Sequence, residues 1–168
     1  MATPILNATS GSATANTYCT LVEANAYYDM RLHRTNWEGS YADEQNRALL
    51  MSTRILDEHF NWIGCKYTVE QSLRWPRSSV LTPDGYDVDY TTIPQFLKNA
   101  TAELAGYLIF EDKTVESDTK GFSRLKADVL EMVIDKTDRA GVIPDSVYNM
   151  LKFYGELSTN LNTKLLRV

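Results

Sequence analysis

Between residues 71 and 94 the chain cannot continue a helix, and that interruption organises everything around it. The stretch reads Gln71-Ser72-Leu73-Arg74-Trp75-Pro76-Arg77-Ser78-Ser79-Val80, then Asp84-Gly85, then Ile93-Pro94. A proline ring clashes with an α conformation at the residue before it, so Trp75 is held extended. Thr82-Pro83-Asp84-Gly85 is a turn, in which Pro83 presets φ and Gly85 tolerates a positive one. A rigid, aromatic-anchored connection therefore stands in front of a helix. It holds no nucleophile beside a base, no metal-ligand set and no phosphate loop. That points away from an enzyme and towards a part that docks onto other proteins.

Helical patterns flank the connection. Thr20 with Glu23 three residues later is a capping box: the Thr20 hydroxyl meets the Glu23 amide and the carboxylate reaches back. Ala24, Tyr27, Tyr28 and Leu32 then give one face, predicting a helix over residues 21–33. Residues 36–40 read as a connection, with Ser40 capping a longer helix over 41–60. Its apolar or small positions, Ala48, Leu49, Ser52, Ile55, Leu56 and Phe60, recur at spacings of three and four. Asp43 and Glu44 in its first turn suit the helix dipole. Residues 62–66 form a short extended piece.

The clearest helix follows the connection. Ile93, Leu97, Ala100, Leu104 and Leu108 lie on one stripe, and Thr92 with Gln95 makes a second capping box. Pro94 is tolerated in a first turn, where its missing amide would be unpaired. Residues 122–135 alternate imperfectly, predicting one or two strands or an extended arm. Ile143-Pro144-Asp145 opens a short last helix that Gly155 stops. The expected fold class is mainly α: a small bundle of three to four helices, a short β or extended segment and an extended C-terminal arm. The expected division is a flexible N-terminal arm rich in Ala, Thr, Ser and Asn (1–16), a helical core domain (17–118), and an extended segment, short helix and docking arm (119–168).

At 168 residues such a domain buries roughly 70% of its unfolded surface and needs no staples. The net charge of -5 is uneven: residues 1–118 hold 9 Lys and Arg against 16 Asp and Glu, and residues 119–168 hold 8 against 6. Nucleic-acid binding rests on neutralising phosphates, so a chain like this needs a local basic patch to do it. Cys19 and Cys65 are isolated, which fits a reducing cytoplasm. The N-terminus has neither the basic n-region nor the apolar stretch of a signal peptide, and no apolar run is long enough to span a bilayer.

Several residue groups invite chemistry. Asp84, Asp87 and Asp89 cluster in a loop, but the EF-hand order is missing, and a solvated turn is favoured over a metal site. His33 and His59 each end an expected helix, where the dipole is reason enough for them, and neither sits in a triad pattern. Arg74 and Arg77 flank Trp75-Pro76. Either they form an Arg-aromatic patch for nucleic acid or an acidic partner, or Trp75 fills the core while the arginines pair with acids such as Glu70 or Asp84; the second is favoured. Trp62, Trp75, Pro76 and Arg77 are thus expected as structural anchors. The many tyrosines, among them Tyr18, Tyr27, Tyr28, Tyr41, Tyr67, Tyr86 and Tyr90, suit a protein interface better than base stacking on so acidic a region. No catalytic residue, metal site or cofactor is expected.

The order of signals carries a resemblance. Asn16-Thr17-Tyr18 leads into Glu23-Ala24 and Tyr27; Arg31, Trp37, Ala48-Leu49, Leu56-Asp57 and Trp62-Ile63-Gly64 follow. Residues 71–77 then precede Asp84-Gly85, and Ile93-Pro94 begins a helix holding Ala100 and Glu103-Leu104-Ala105. This resembles a tailed-phage family often labelled DnaT-like single-stranded-DNA-binding protein, whose members look like head-tail connector adaptors. The resemblance covers residues 16–110 well and the C-terminal third more loosely, through Asp135-Lys136 and Ile143-Pro144. It implies a virion structural protein made in the host cytoplasm. In that role a homo-oligomeric ring, twelve-fold on the portal protein, would adjoin tail, stopper or terminator proteins. DNA would pass through its lumen without specific binding, and no membrane would be involved. Docking onto the portal would fall to Tyr148, Leu151, Tyr154, Leu157, Leu161, Leu165, Leu166 and Arg167. The alternative is the label itself, a single-stranded-DNA-binding replication protein. Against it stand the lack of an OB-like strand pattern and of a basic groove with interleaved aromatics.

Overall fold

A computed structural model of the chain describes residues 3–112, Thr114, the strand residues 124–127 and 130–133, and residues 141–158. In chain order its elements are α1 (Leu21–Asp29), α2 (Thr35–Glu38), α3 (Ala42–His59), β1 (Phe60–Trp62), β2 (Cys65–Lys66), β3 (Arg77–Ser78), α4 (Gln95–Phe110), β4 (Arg124–Ala127), β5 (Leu130–Val133), α5 (Asp145–Leu151) and β6 (Gly155–Leu157). The protein is mainly α. Among the described residues the strands form three antiparallel two-stranded pairs, β1 with β6, β2 with β3 and β4 with β5. No helix among the described residues is long and apolar enough to cross a membrane.

Helix starts follow local chemistry. The capping box at α1 forms in full: the Glu23 amide donates to Thr20 Oγ1 at 3.2 Å, and the Thr20 amide donates to Glu23 Oε2 at 2.8 Å. The helix ends at Asp29, short of the expected residue 33, and Leu32 is exposed. Arg31 instead turns inward to pair with Glu103. Residues 35–38, expected as connection, form the single turn α2. Ser40 does not cap α3. Its hydroxyl donates to the Asn36 carbonyl at 2.7 Å, closing α2, while the Tyr41 amide donates to Glu44 Oε2 at 3.1 Å. The capping box expected at Thr92 is likewise absent. The Thr92 hydroxyl donates to Asp89 Oδ2 at 3.0 Å, and α4 starts behind Pro94, whose extended backbone makes it the cap.

Residues 1–16 were expected to be a flexible arm on composition. The described part is tied down instead. The Asn7 amide donates to Asn16 Oδ1 at 2.7 Å, Asn46 Nδ2 to the Pro4 carbonyl at 3.0 Å, and the Ser10 hydroxyl to the Thr91 carbonyl at 2.8 Å. Asn, Ser and Thr lower hydrophobicity, yet their short side chains also bond backbone groups and fix irregular chain.

α4 is the axis of the molecule. α3 packs along it, and α1, α2 and α5 pack on it too. Its buried residues include Leu97, Ala100, Thr101, Ala102, Glu103, Leu104 and Ala105, so it is wrapped nearly all round, as a helix without a polar face must be. On one side Leu97, Ala100 and Leu104 join Tyr18, Ile55, Leu56, Phe60, Trp62, Trp75, Val147 and Leu151 in the larger core. On the other, Ala102 and Ala105 meet Cys19, Ala24, Tyr28, Trp37, Ala48 and Leu49. The chain closes where β6 returns along β1, with Trp62 opposite Gly155. A side chain on Gly155 would press on the Trp62 ring and the Asn61 carbonyl, so glycine opens this strand rather than merely stopping a helix.

Candidate functional site

Along α3, Leu50, Arg54, Asp57 and Glu58 fall on one face because residues three and four apart stack on a helix. That face forms one wall of an open groove of about 560 Å³. Lys66 of β2 and Ser72, Leu73 and Arg74 of the connection form the other. Its charged side chains are Arg54, Lys66 and Arg74 against Asp57 and Glu58. Arg54 sits 3.6 Å from Glu58 on the exposed rim, an ion pair of little energetic weight. Lys66 reaches the Gln71 carbonyl at 3.1 Å.

Asp57 anchors the groove's inner end. It accepts a short hydrogen bond from the Tyr18 hydroxyl and one at 3.1 Å from the Arg74 amide. Burial raises its carboxyl pKa, while those hydrogen bonds and the charges of Arg74 and Lys66 work against the rise. Burial and the neighbouring carboxylate hold the Tyr18 hydroxyl well above its ordinary range, so it stays a donor. The balance of the groove is therefore locally positive in a chain that is acidic as a whole. Next to Lys66 in sequence, Tyr67 meets Tyr90 with ring centroids 5.3 Å apart; both rings are half exposed.

The connection itself is structural. Trp75 is 1% exposed, edge-on to Trp62 and Phe96, and its bond to Pro76 is cis. Among the described residues Arg77 pairs with no acid. Its guanidinium donates to the carbonyls of Ile63 at 2.7 Å, Arg74 at 3.1 Å, Trp62 at 3.3 Å and Gly64. Among the described residues, no ion pair joins Arg74 or Arg77 to Glu70 or Asp84. Trp62 is buried and stacks on Phe60.

The other expected residues fall as follows. Leu151 and Tyr154 are core residues, and Tyr148 and Leu157 pack against that core. Leu161, Leu165, Leu166 and Arg167 lie outside the described residues. Asp89 is engaged by Thr91 and Thr92, which lower its pKa, and among the described residues no group of His, Cys, Asp and Glu is placed to hold a metal ion. His59 does end α3, whereas His33 lies in the exposed turn between α1 and α2.

A second, smaller cleft of about 210 Å³ lies between α1, α2 and α4 and shares no lining residue with the groove. Trp37 stacks there on Tyr28 at 4.6 Å. Glu103 Oε2 accepts from the Tyr27 hydroxyl at 2.8 Å and pairs with Arg31. Sequence reasoning passed over this set, although a glutamate amid the apolar stripe of the strongest helix is itself a signal: a buried carboxylate must find partners.

Comparison with known proteins adds one finding. Residues 3–168 match the model of a family described as "Putative DnaT-like ssDNA binding protein". No curated protein and no solved structure matches the chain. The match corrects the connector reading: the family shown carries a description of single-stranded-DNA binding, and the expectation of a virion neck ring has no support beside it.

Proposed function

The chain belongs to the family of DnaT-like single-stranded-DNA-binding proteins, and from that premise we propose that it binds single-stranded DNA. The observation that supports the reading is the groove along α3. Arg54, Lys66 and Arg74 line an open track, and the exposed Tyr67–Tyr90 pair offers rings nearby in the chain. Such binding combines cations that follow the phosphates with aromatic faces on which bases stack. An open groove suits a strand better than a small ligand, which needs enclosure. The mode is not that of an OB barrel, since the described strands make only short pairs. The sequence pattern offers no basic groove with interleaved aromatics, because the three cations at residues 54, 66 and 74 are brought together only by folding.

Anisotropy of a labelled oligothymidylate at graded salt tests this. Binding should weaken as salt rises, and Lys66→Ala and Arg74→Ala should each reduce the log–log slope by about 0.7, the value per phosphate contact on single strands. Absence of binding at low salt, or slopes that neither substitution changes, would refute it.

A further inference from the structure

The cleft between α1, α2 and α4 has a composition the groove lacks. Its buried aromatic lining is the stacked pair Tyr28 and Trp37, ring planes 12° apart. Phe110, 72% exposed, lines it from the last turn of α4. Inside are a carboxylate and a guanidinium side by side. Both contacts of Glu103, from Tyr27 and from Arg31, fall on Oε2, and Oε1 takes part in neither. Arg31 is a third exposed, whereas the Glu103 side chain is 2% exposed.

We propose that this cleft takes one unstacked base of the bound strand, guanine by preference, an inference that rests on the single-stranded-DNA reading above. Size and charge select the guest. At about 210 Å³ the cleft falls below the ~300–1,000 Å³ of ordinary small-molecule pockets but admits a flat ring. Within it the Glu103 carboxylate and the Arg31 guanidinium offset each other, and Arg34 is engaged by Asp29 and Glu38, so its polar groups suit a neutral base better than a phosphate. Unstacked bases are characteristically held by aromatic faces and read along their Watson–Crick edges. Guanine is the one DNA base whose Watson–Crick edge places an acceptor, O6, beside two donors, N1–H and N2–H. The Arg31 guanidinium only donates and the Glu103 carboxylate only accepts, so the two together complement that edge. Thymine would set a carbonyl against the carboxylate; adenine and cytosine present a single donor.

The test uses the full chain with labelled oligothymidylate and the same oligomer carrying one central guanine. The wild type should bind the guanine oligomer at least about fivefold more tightly. Glu103→Gln and Phe110→Ala should each bring that ratio towards one. Lys66→Ala, in the groove, should weaken both affinities and keep the ratio. Phe110 is exposed, so its variant carries the test even if Glu103→Gln loses its helical circular dichroism. Equal affinity for the two oligomers would overturn the base pocket and leave the single-stranded-DNA reading standing. A preference that survives Phe110→Ala would overturn the pocket's location. Failure of the wild type to bind either oligomer at low salt would remove both readings.

Discussion

The two sides of α4 are built from different materials. On one, Leu97, Ala100 and Leu104 meet Trp75, Phe60, Leu56 and Leu151, and large side chains close the space. On the other, Ala102, Ala105 and Gly106 present almost no side chain, so the Tyr28 hydroxyl comes down to the Ala102 carbonyl at 2.9 Å. A cleft remains beside the rings. Bulk on a helix surface makes core; smallness beneath aromatic rings makes a surface with a recess. Both sides are buried, but the first is closed by bulk and the second by rings seated on small residues, with the recess at the rim beside Arg31, Glu103 and Phe110.

The sharpest way to break that contrast is Trp75→Ala. The ring is buried against Trp62 and Phe96, and removing it should cost about 3–5 kcal/mol in urea unfolding. Trp75→Phe should cost distinctly less, because among the described residues Trp75 Nε1 has no hydrogen-bond partner and its loss strands nothing. A loss under about 1 kcal/mol for the alanine variant would mean the closed side is not what stabilises the molecule.

Gly106→Ala probes the other side and should come next. A Cβ there would run into the Tyr28 hydroxyl and stand 2.9 Å from its Cζ. Helix propensity favours alanine by up to ~1 kcal/mol, whereas overpacking costs about 1–3 kcal/mol, so a net loss of roughly 1–2 kcal/mol is expected. In a Tyr28→Phe background, without the hydroxyl, the same substitution should be milder. A Gly106→Ala variant more stable than wild type would show that the ring yields freely and that the small residues do not shape the cleft.

These two positions also show what was legible. The apolar stripe of α4 and the capping box at Thr20 are local patterns, and local patterns survive folding. Trp75 declared itself because Pro76 fixes its backbone and a large ring needs burial. The end of α1 at Asp29 was not legible, since it depends on Arg31 finding Glu103 from a helix more than seventy residues away. Nor was the strand at Gly155, whose partner is Trp62. The groove escaped for a related reason: net charge averages over the chain, while Arg54, Lys66 and Arg74 become neighbours only through the turn at residues 63–74. Ser40 and Thr92 misled because each has cap chemistry, yet their hydroxyls serve Asn36 and Asp89.

A gentler probe of the closed side is Asp57→Asn. Burial holds the folded-state pKa of Asp57 above its ordinary value, so the folded protein favours the protonated form. Its contribution is therefore fully present below the usual carboxylate range and is lost as pH rises from about 4 through the raised folded value. Asparagine cannot ionise and keeps an acceptor for the Tyr18 hydroxyl. Urea midpoints across pH should show the variant gaining on the wild type as pH climbs through that window. A wild type that instead gains on Asp57→Asn would mean the hydrogen bonds from Tyr18 and Arg74 outweigh burial.

The smallest effect should come from Phe110→Ala. Phe110 ends α4 with 72% of its surface exposed, so its removal uncovers little that folding had buried. Substitutions at such positions stay within about 0.5 kcal/mol. Set beside Trp75→Ala, the pair would separate two aromatic roles in one chain: a ring the fold consumes and a ring the fold presents. A loss above about 1 kcal/mol would place Phe110 among the residues that hold the structure, and the cleft would then be a seam in the core rather than an open recess. A near-zero change makes any loss of guanine preference in the same variant a statement about binding alone.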